Sequence, residues 1–65
     1  MNTYKHILTL HNPNNYHRKA FIYNLGNFKY FLVEMAINNN VKDSKRLDTL
    51  NKAIAFAIRF LELEL

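Results

Sequence analysis

The clearest hydrophobic pattern lies in the C-terminal third of the chain, which contains no Gly or Pro. Its apolar residues recur at intervals of three and four, the spacing of one helix face. They are Leu47, Leu50, Ile54, Ala57, Ile58 and Leu61. Asp48 and Lys52 are spaced to form an i, i+4 ion pair on such a helix. We predict a long helix over residues 41–64, beginning at Val41 or at Ser44.

A second helical pattern precedes this one. Phe28, Phe31, Leu32 and Met35 follow the i, i+3, i+4, i+7 spacing of an amphipathic helix. The pattern predicts a short helix over residues 28–37. Three consecutive asparagines then break it, and so short a connection predicts that the two helices are antiparallel neighbours.

The N-terminal part of the chain follows the period of a β-strand. Residues 4–10 alternate in character, and an Asn- and Pro-rich turn follows them. Residues 16–25 are ambiguous. The helical alternative would run over residues 13–25, with Asn12 as N-cap, Pro13 at the first helical position and Gly26 just beyond the end. Their aromatic and β-branched side chains favour a strand, which gives a β-hairpin over residues 3–25.

Together these elements predict an α+β fold, a small ββαα domain. An N-terminal β-hairpin would pack on an antiparallel helix pair with a long C-terminal helix. The chain has 65 residues, enough for a single domain over residues 1–65. Its core is small, and the absence of Cys excludes disulfides and Cys-based zinc sites. Stability would therefore depend on tight helix packing or on self-association.

The composition predicts a soluble, cytoplasmic protein. Residues 1–10 do not resemble a signal peptide. The longest apolar run, residues 54–58, is much shorter than the roughly 18 residues of a membrane span. Asn, Lys, Ile, Phe and Tyr are abundant, and their codons are AT-rich. We therefore expect a low-GC origin, and a phage or mobile-element product acting in the host cell cytoplasm.

The net charge of +4 is unevenly distributed. Residues 1–33 contain four Lys or Arg and no acid, whereas residues 34–65 contain five residues of each sign. A basic half indicates an anionic partner. The alternative is that the charge only keeps a small domain soluble.

Residues for catalysis are scarce. Cys is absent, the only Ser is Ser44 at a predicted helix start, and the single Gly excludes a phosphate-binding loop. His6, His11 and His17 flank the predicted turn, but no acid lies near them in the sequence to complete a metal site. We predict a non-enzymatic protein without a metal or cofactor, whose histidines lie on the surface.

A basic segment with interleaved aromatic residues surrounds the end of the hairpin. We predict that it binds a partner through Lys5, Tyr16, His17, Arg18, Lys19 and Tyr23. Cations and rings suit nucleic acid, where they meet phosphates and bases. They suit an acidic protein surface equally, because Arg and Tyr are favoured interface anchors. A third interpretation is that the rings only form the core side of the hairpin.

The long predicted helix has a second apolar side, formed by Phe56, Phe60 and Leu63. A short helix and a hairpin would leave this side uncovered. We predict that it forms a homodimer interface. The alternative is one wide apolar face within a monomer.

These observations predict a small regulatory or inhibitory protein that acts by stoichiometric binding. Its partner would be a host protein or protein–nucleic-acid complex with an acidic surface, for example a nuclease or a defence complex. The alternative is a dimeric nucleic-acid-binding transcriptional regulator that uses the same basic half. No membrane association is expected.

Overall fold

The residues that the structure describes form four β-strands followed by one α-helix. The computed structural model describes residues 4–25 and 30–62. The elements are β1 (Tyr4–Asn12), β2 (Asn15–Leu25), β3 (Tyr30–Ile37), β4 (Asn40–Leu47) and α1 (Leu50–Glu62). The strands make one antiparallel sheet in the order β1-β2-β3-β4. The predicted ββαα fold with an antiparallel helix pair is therefore wrong.

The N-terminal hairpin forms in the part of the chain where it was expected. β1 pairs with β2 from Tyr4 opposite Leu25 to Asn12 opposite Asn15. The register shifts between His6 and Leu8, which leaves one bulged residue in β1. The helical alternative for residues 13–25 is excluded, because residues 15–25 form β2.

The predicted short helix over residues 28–37 is a strand instead. β3 occupies residues 30–37 between β2 and β4, and residues 28 and 29 lie outside the described part of the chain. The apolar residues fit either structure, because a short apolar run does not by itself distinguish a buried strand from a helix. Strand pairing on both sides decides in favour of the strand.

The turn between β3 and β4 explains why the chain reverses here as a hairpin. Asn38 and Asn39 have φ angles of 54° and 67°. Positive φ at both central residues is the requirement of the type I′ turn, whose twist matches that of paired strands. Asn tolerates this conformation better than most residues. Asn38 N–H also donates to the carbonyl oxygen of His17 at 2.9 Å.

The predicted long helix over residues 41–64 is wrong in its first part. Residues 40–47 form β4, and only the later residues form α1. Thr49 caps the helix, since its Oγ1 accepts a hydrogen bond from Lys52 N–H at 3.1 Å. The predicted Asp48–Lys52 ion pair is present at 3.1 Å, and its exposure makes its contribution small. Residues 63–65 lie outside the described part.

The core lies between α1 and one face of the sheet. Its buried residues come from the two central strands and from the helix. They are Ala20, Ile22, Val33, Met35, Ala53, Ala57 and Leu61. Ala53 and Ala57 are one helical turn apart, and their small side chains let the helix axis lie close to the sheet.

Two side chains of the hairpin bond the C-terminal end of α1. Arg18 is only 5% exposed, and its Nη2 donates to the carbonyl oxygen of Phe60 at 2.7 Å. Asn12 Nδ2 donates to the carbonyl oxygen of Leu61 at 2.6 Å. The last carbonyls of a helix have no partner within it, and a cation there is favoured by the helix dipole. The hairpin therefore supplies hydrogen-bond donors to two carbonyl groups at the C-terminal end of the helix that covers it.

Candidate binding surface

The sheet has a second face, directed away from α1, on which no described element packs. We call it the open face. Strand register assigns its residues, since paired residues share a side of the sheet. They are Tyr4, His6, Thr9 and His11 of β1; Lys19, Phe21, Tyr23 and Leu25 of β2; Tyr30, Leu32, Glu34 and Ala36 of β3; and Val41, Ser44 and Arg46 of β4.

An aromatic cluster lies at one end of the open face. The ring of Tyr23 lies 6.3 Å from that of Tyr4 and 5.5 Å from that of His6, with the planes inclined by 61° and 64°. These are favourable edge-to-face contacts. His6 Nε2 and Thr9 Oγ1 form a hydrogen bond of 2.7 Å. The contacts fix the rings, while Tyr4 remains 61% exposed and accessible to a partner.

The charge on the open face is mixed. Lys19 and Arg46 are cations, and the register places Glu34 in the row of residues between them. Burial raises the pKa of the Tyr23 hydroxyl above its usual value of 10.0. The negative charge of Glu34 and a hydrogen bond with its side chain add to this rise in pKa. Glu34 is thus an anion inside a cationic and aromatic surface.

The predicted partner-binding residues separate into two groups in the structure. Lys19 and Tyr23 lie on the open face. Tyr16 and His17 are exposed near the hairpin turn, where the Tyr16 ring lies 5.0 Å from that of His11. Lys5 pairs with Asn24 in a row on the other side of the sheet.

Arg18 differs from the other predicted partner-binding residues because it is buried. Its guanidinium carbon lies 4.5 Å from the centre of the Phe60 ring, beneath the end of α1. Its Nε has no hydrogen-bond partner within the described residues. The structure therefore gives Arg18 an internal role at the helix end.

The residues predicted for a dimer interface line a cleft beside the helix. Phe56 and Phe60 are half-buried against the core, and Leu63 lies outside the described residues. Lys45 Nζ lies 5.2 Å from the centre of the Phe56 ring. The cleft has a volume of about 550 Å³ and is also lined by Met35, Asp43 and Arg59. Each described ring already packs against side chains of its own chain. The homodimer stays a prediction.

All three histidines are exposed, and two of them make local side-chain contacts. His6 bonds Thr9, and His11 contacts Tyr16. Within residues 4–25 and 30–62, no group of three or more His, Cys, Asp or Glu side chains is placed to hold a metal ion.

Sequence reasoning missed the contribution of β3 and β4 to the open face. Leu32 and Glu34 pair with Tyr23 and Phe21 in the sheet, and Arg46 pairs with Leu32, but all three were assigned to helices. The adjacent asparagines after residue 37 were the available signal, because a two-residue Asn turn between apolar and polar runs indicates a hairpin.

Comparison with protein families, with curated proteins and with solved structures finds no match to this chain. The part of the chain that the structure describes contains no helix that is both long and apolar enough to cross a membrane.

Proposed function

We propose that this protein is a non-enzymatic regulator that binds a partner protein through the open face. The observation that carries the proposal is the fixed aromatic cluster of Tyr4, His6 and Tyr23 on a sheet face that no described element covers. Lys19 lies two rows from Tyr23 on the same face, and Arg46 lies in the row of Tyr23 with Leu32 between them. Such a surface suits recognition, because it offers apolar area, hydroxyl groups and cations on a rigid support.

The aromatic cluster is suited to anchor a protein interface. Tyrosine gives a large contact area and a polar end, and it loses little conformational entropy on binding. Tyr23 is already held by two neighbouring rings, so less of its freedom remains to be lost. Exposed aromatic residues of this kind are frequent hot spots.

Glu34 favours a protein partner over nucleic acid. A sheet that stacks bases and tracks phosphates uses cations and rings, and an anion among them repels the phosphates. Glu34 lies in the row between those of Lys19 and Arg46 and bonds Tyr23. A protein surface with acidic groups and a few donors complements this mixed arrangement.

Nucleic-acid binding is the second candidate. It is favoured by the cluster of Tyr4, His6 and Tyr23, which could stack on unpaired bases. Under this function, mixed DNA or RNA binds at about 50 mM salt and is released steeply as salt rises.

The test compares two variants with equal charge change. Lys19→Glu with Arg46→Glu alters the open face, whereas Lys52→Glu with Arg59→Glu alters exposed positions on α1. A protein captured from a nuclease-treated lysate of a low-GC bacterium is purified, and its binding to each variant is measured by calorimetry. The first variant should lose at least about tenfold in affinity at one-to-one stoichiometry, and the second should not.

Circular dichroism of both variants checks that the fold is retained. Equal weakening by the two variants would exclude the open face as the contact surface. Capture that disappears after nuclease treatment, with salt-dependent DNA or RNA binding, would replace the protein partner by nucleic acid. A phage or mobile-element origin, a host-cell cytoplasmic site of action and homodimer formation remain predictions.

A further inference from the structure

The two edges of the sheet differ in their protection against an additional strand. β1 and β4 are each paired on one side within the described sheet, so each presents a row of backbone donors and acceptors. β4 carries four charged side chains in eight residues, which discourages pairing with another strand. β1 carries only Lys5 in nine residues. β1 is therefore the edge more open to an additional strand.

A small apolar cleft lies beside the β1 edge. Leu10, Pro13, Ile58 and Leu61 line it, and its volume is about 200 Å³. An engineered protein cavity of roughly 150 Å³ binds benzene, so this cleft has room for one aliphatic side chain. Ile58 is 43% exposed there, which leaves apolar surface for a partner to cover.

The positive charge of β1 and β2 favours an acidic partner segment at this edge. β1 and β2 contain no Asp or Glu, and Lys5 lies on the edge strand itself. Glu62, at the end of α1, is the one acid that lines the cleft. A second copy of β1 pairing here would bring its own Lys5 against a strand that has no acid. An acidic extended segment avoids this repulsion.

We propose that β1 accepts an extended, acidic segment of the partner protein as a fifth strand, with one apolar side chain in the cleft. The inference rests on the proposed function and gives it a binding mode. Backbone hydrogen bonds along the edge supply affinity, and the cleft supplies specificity.

The test uses a synthetic peptide in which glutamate and valine alternate, with a lysine–valine peptide as control. Hydrogen–deuterium exchange should show new protection of β1 backbone amides with the glutamate peptide, and none in β4. The lysine peptide should bind at least about tenfold more weakly, because like charges face each other.

Two edge variants provide a matched comparison. Ile7→Glu and Val41→Glu each place one negative charge at an exposed aliphatic residue, 37% exposed on β1 and 53% exposed on β4. Ile7 has no β2 partner in the register, so its substitution leaves the ladder intact. Ile7→Glu and Ile58→Glu should each weaken the glutamate peptide about tenfold, and Val41→Glu should leave binding unchanged.

Equal effects at Ile7 and Val41, protection outside β1, or no peptide binding would overturn the fifth-strand mode. Concentration-dependent protection of β1 without peptide would assign the edge to a second copy and also overturn it. None of these results affects the calorimetric comparison of open-face and helix variants, so the proposed function can fail or hold independently.

Discussion

The two faces of β2 use side chains of opposite kinds. Ala20 and Ile22, on the covered face, are small or aliphatic and completely buried under α1. Phe21 and Tyr23, on the open face, are larger and only half-buried. In a chain this short the helix must lie close to the sheet to exclude water, and large rings would hold it away. At these four positions the aromatic side chains of β2 are therefore on the face available to a partner.

The strongest test of this difference replaces two neighbours in the sequence. Ile22→Ala leaves a cavity in the covered face and should destabilise the protein by about 2–5 kcal/mol. Phe21→Ala removes a larger side chain but should destabilise by about 1 kcal/mol, because its site is already partly hydrated. Urea unfolding followed by circular dichroism measures both values.

A 65-residue domain has a total stability of roughly 3–10 kcal/mol, so the Ile22 variant can lie near its unfolding midpoint. Ile22→Val then gives a milder loss of about 0.5–1.5 kcal/mol at the same site. An equal or greater loss for Phe21→Ala would mean that the open face contributes as much to stability as the core does.

A second pair of neighbours compares a buried cation with an accessible one. Arg18→Ala should cost about 2 kcal/mol, since it removes a charged hydrogen bond to the last turn of α1 and the contact with Phe60. Lys19→Ala should change stability by no more than about 0.5 kcal/mol. Thermal unfolding of the two variants gives the comparison. Similar losses would contradict the internal role assigned to Arg18.

A third and smaller effect concerns ionisation on the open face. The pKa of Tyr23 is raised by burial and by Glu34, so the folded state holds the phenol proton more tightly than the unfolded state does. Its contribution to stability is present below pH 10 and is lost as the pH rises through the folded-state pKa.

Glu34→Gln removes the negative charge and should move the pKa of Tyr23 part of the way towards 10, with burial accounting for the remainder. Ring NMR of Tyr23 during an alkaline titration measures this. An unchanged midpoint would show that Glu34 does not act on the phenol.

The hairpin and the last helix could be predicted from local sequence, but their neighbours could not. Residues 16–25 carry enough aromatic and β-branched side chains to favour a strand without help from the fold. The stripe ending at Leu61 and the Asp48–Lys52 pair indicated a helix that does form. In these segments, local preference and the final structure agree.

β4 could not be recognised from its own residues, because its strand state depends on β3. Its polar and charged sequence lacks an apolar face, and it extends because β3 offers an edge and Asn38 and Asn39 turn the chain back onto it. Once β3 and β4 were assigned to helices, Glu34 and Arg46 could not be placed on the same sheet face as Tyr23. For this reason the sequence prediction omitted the residues of β3 and β4, which make up about half of the open face.

The bonds from Asn12 and Arg18 to the end of α1 also bear on the order of folding. They join residues 49 and 42 positions apart, whereas every strand pairs with its neighbour in the chain. Closing long loops costs more entropy than closing short ones, so the meander can assemble before the helix docks. The hairpin donors acquire their acceptors only when residues 60 and 61 arrive. During synthesis, a nascent chain that ends before them can pair its strands and still lack a protected core.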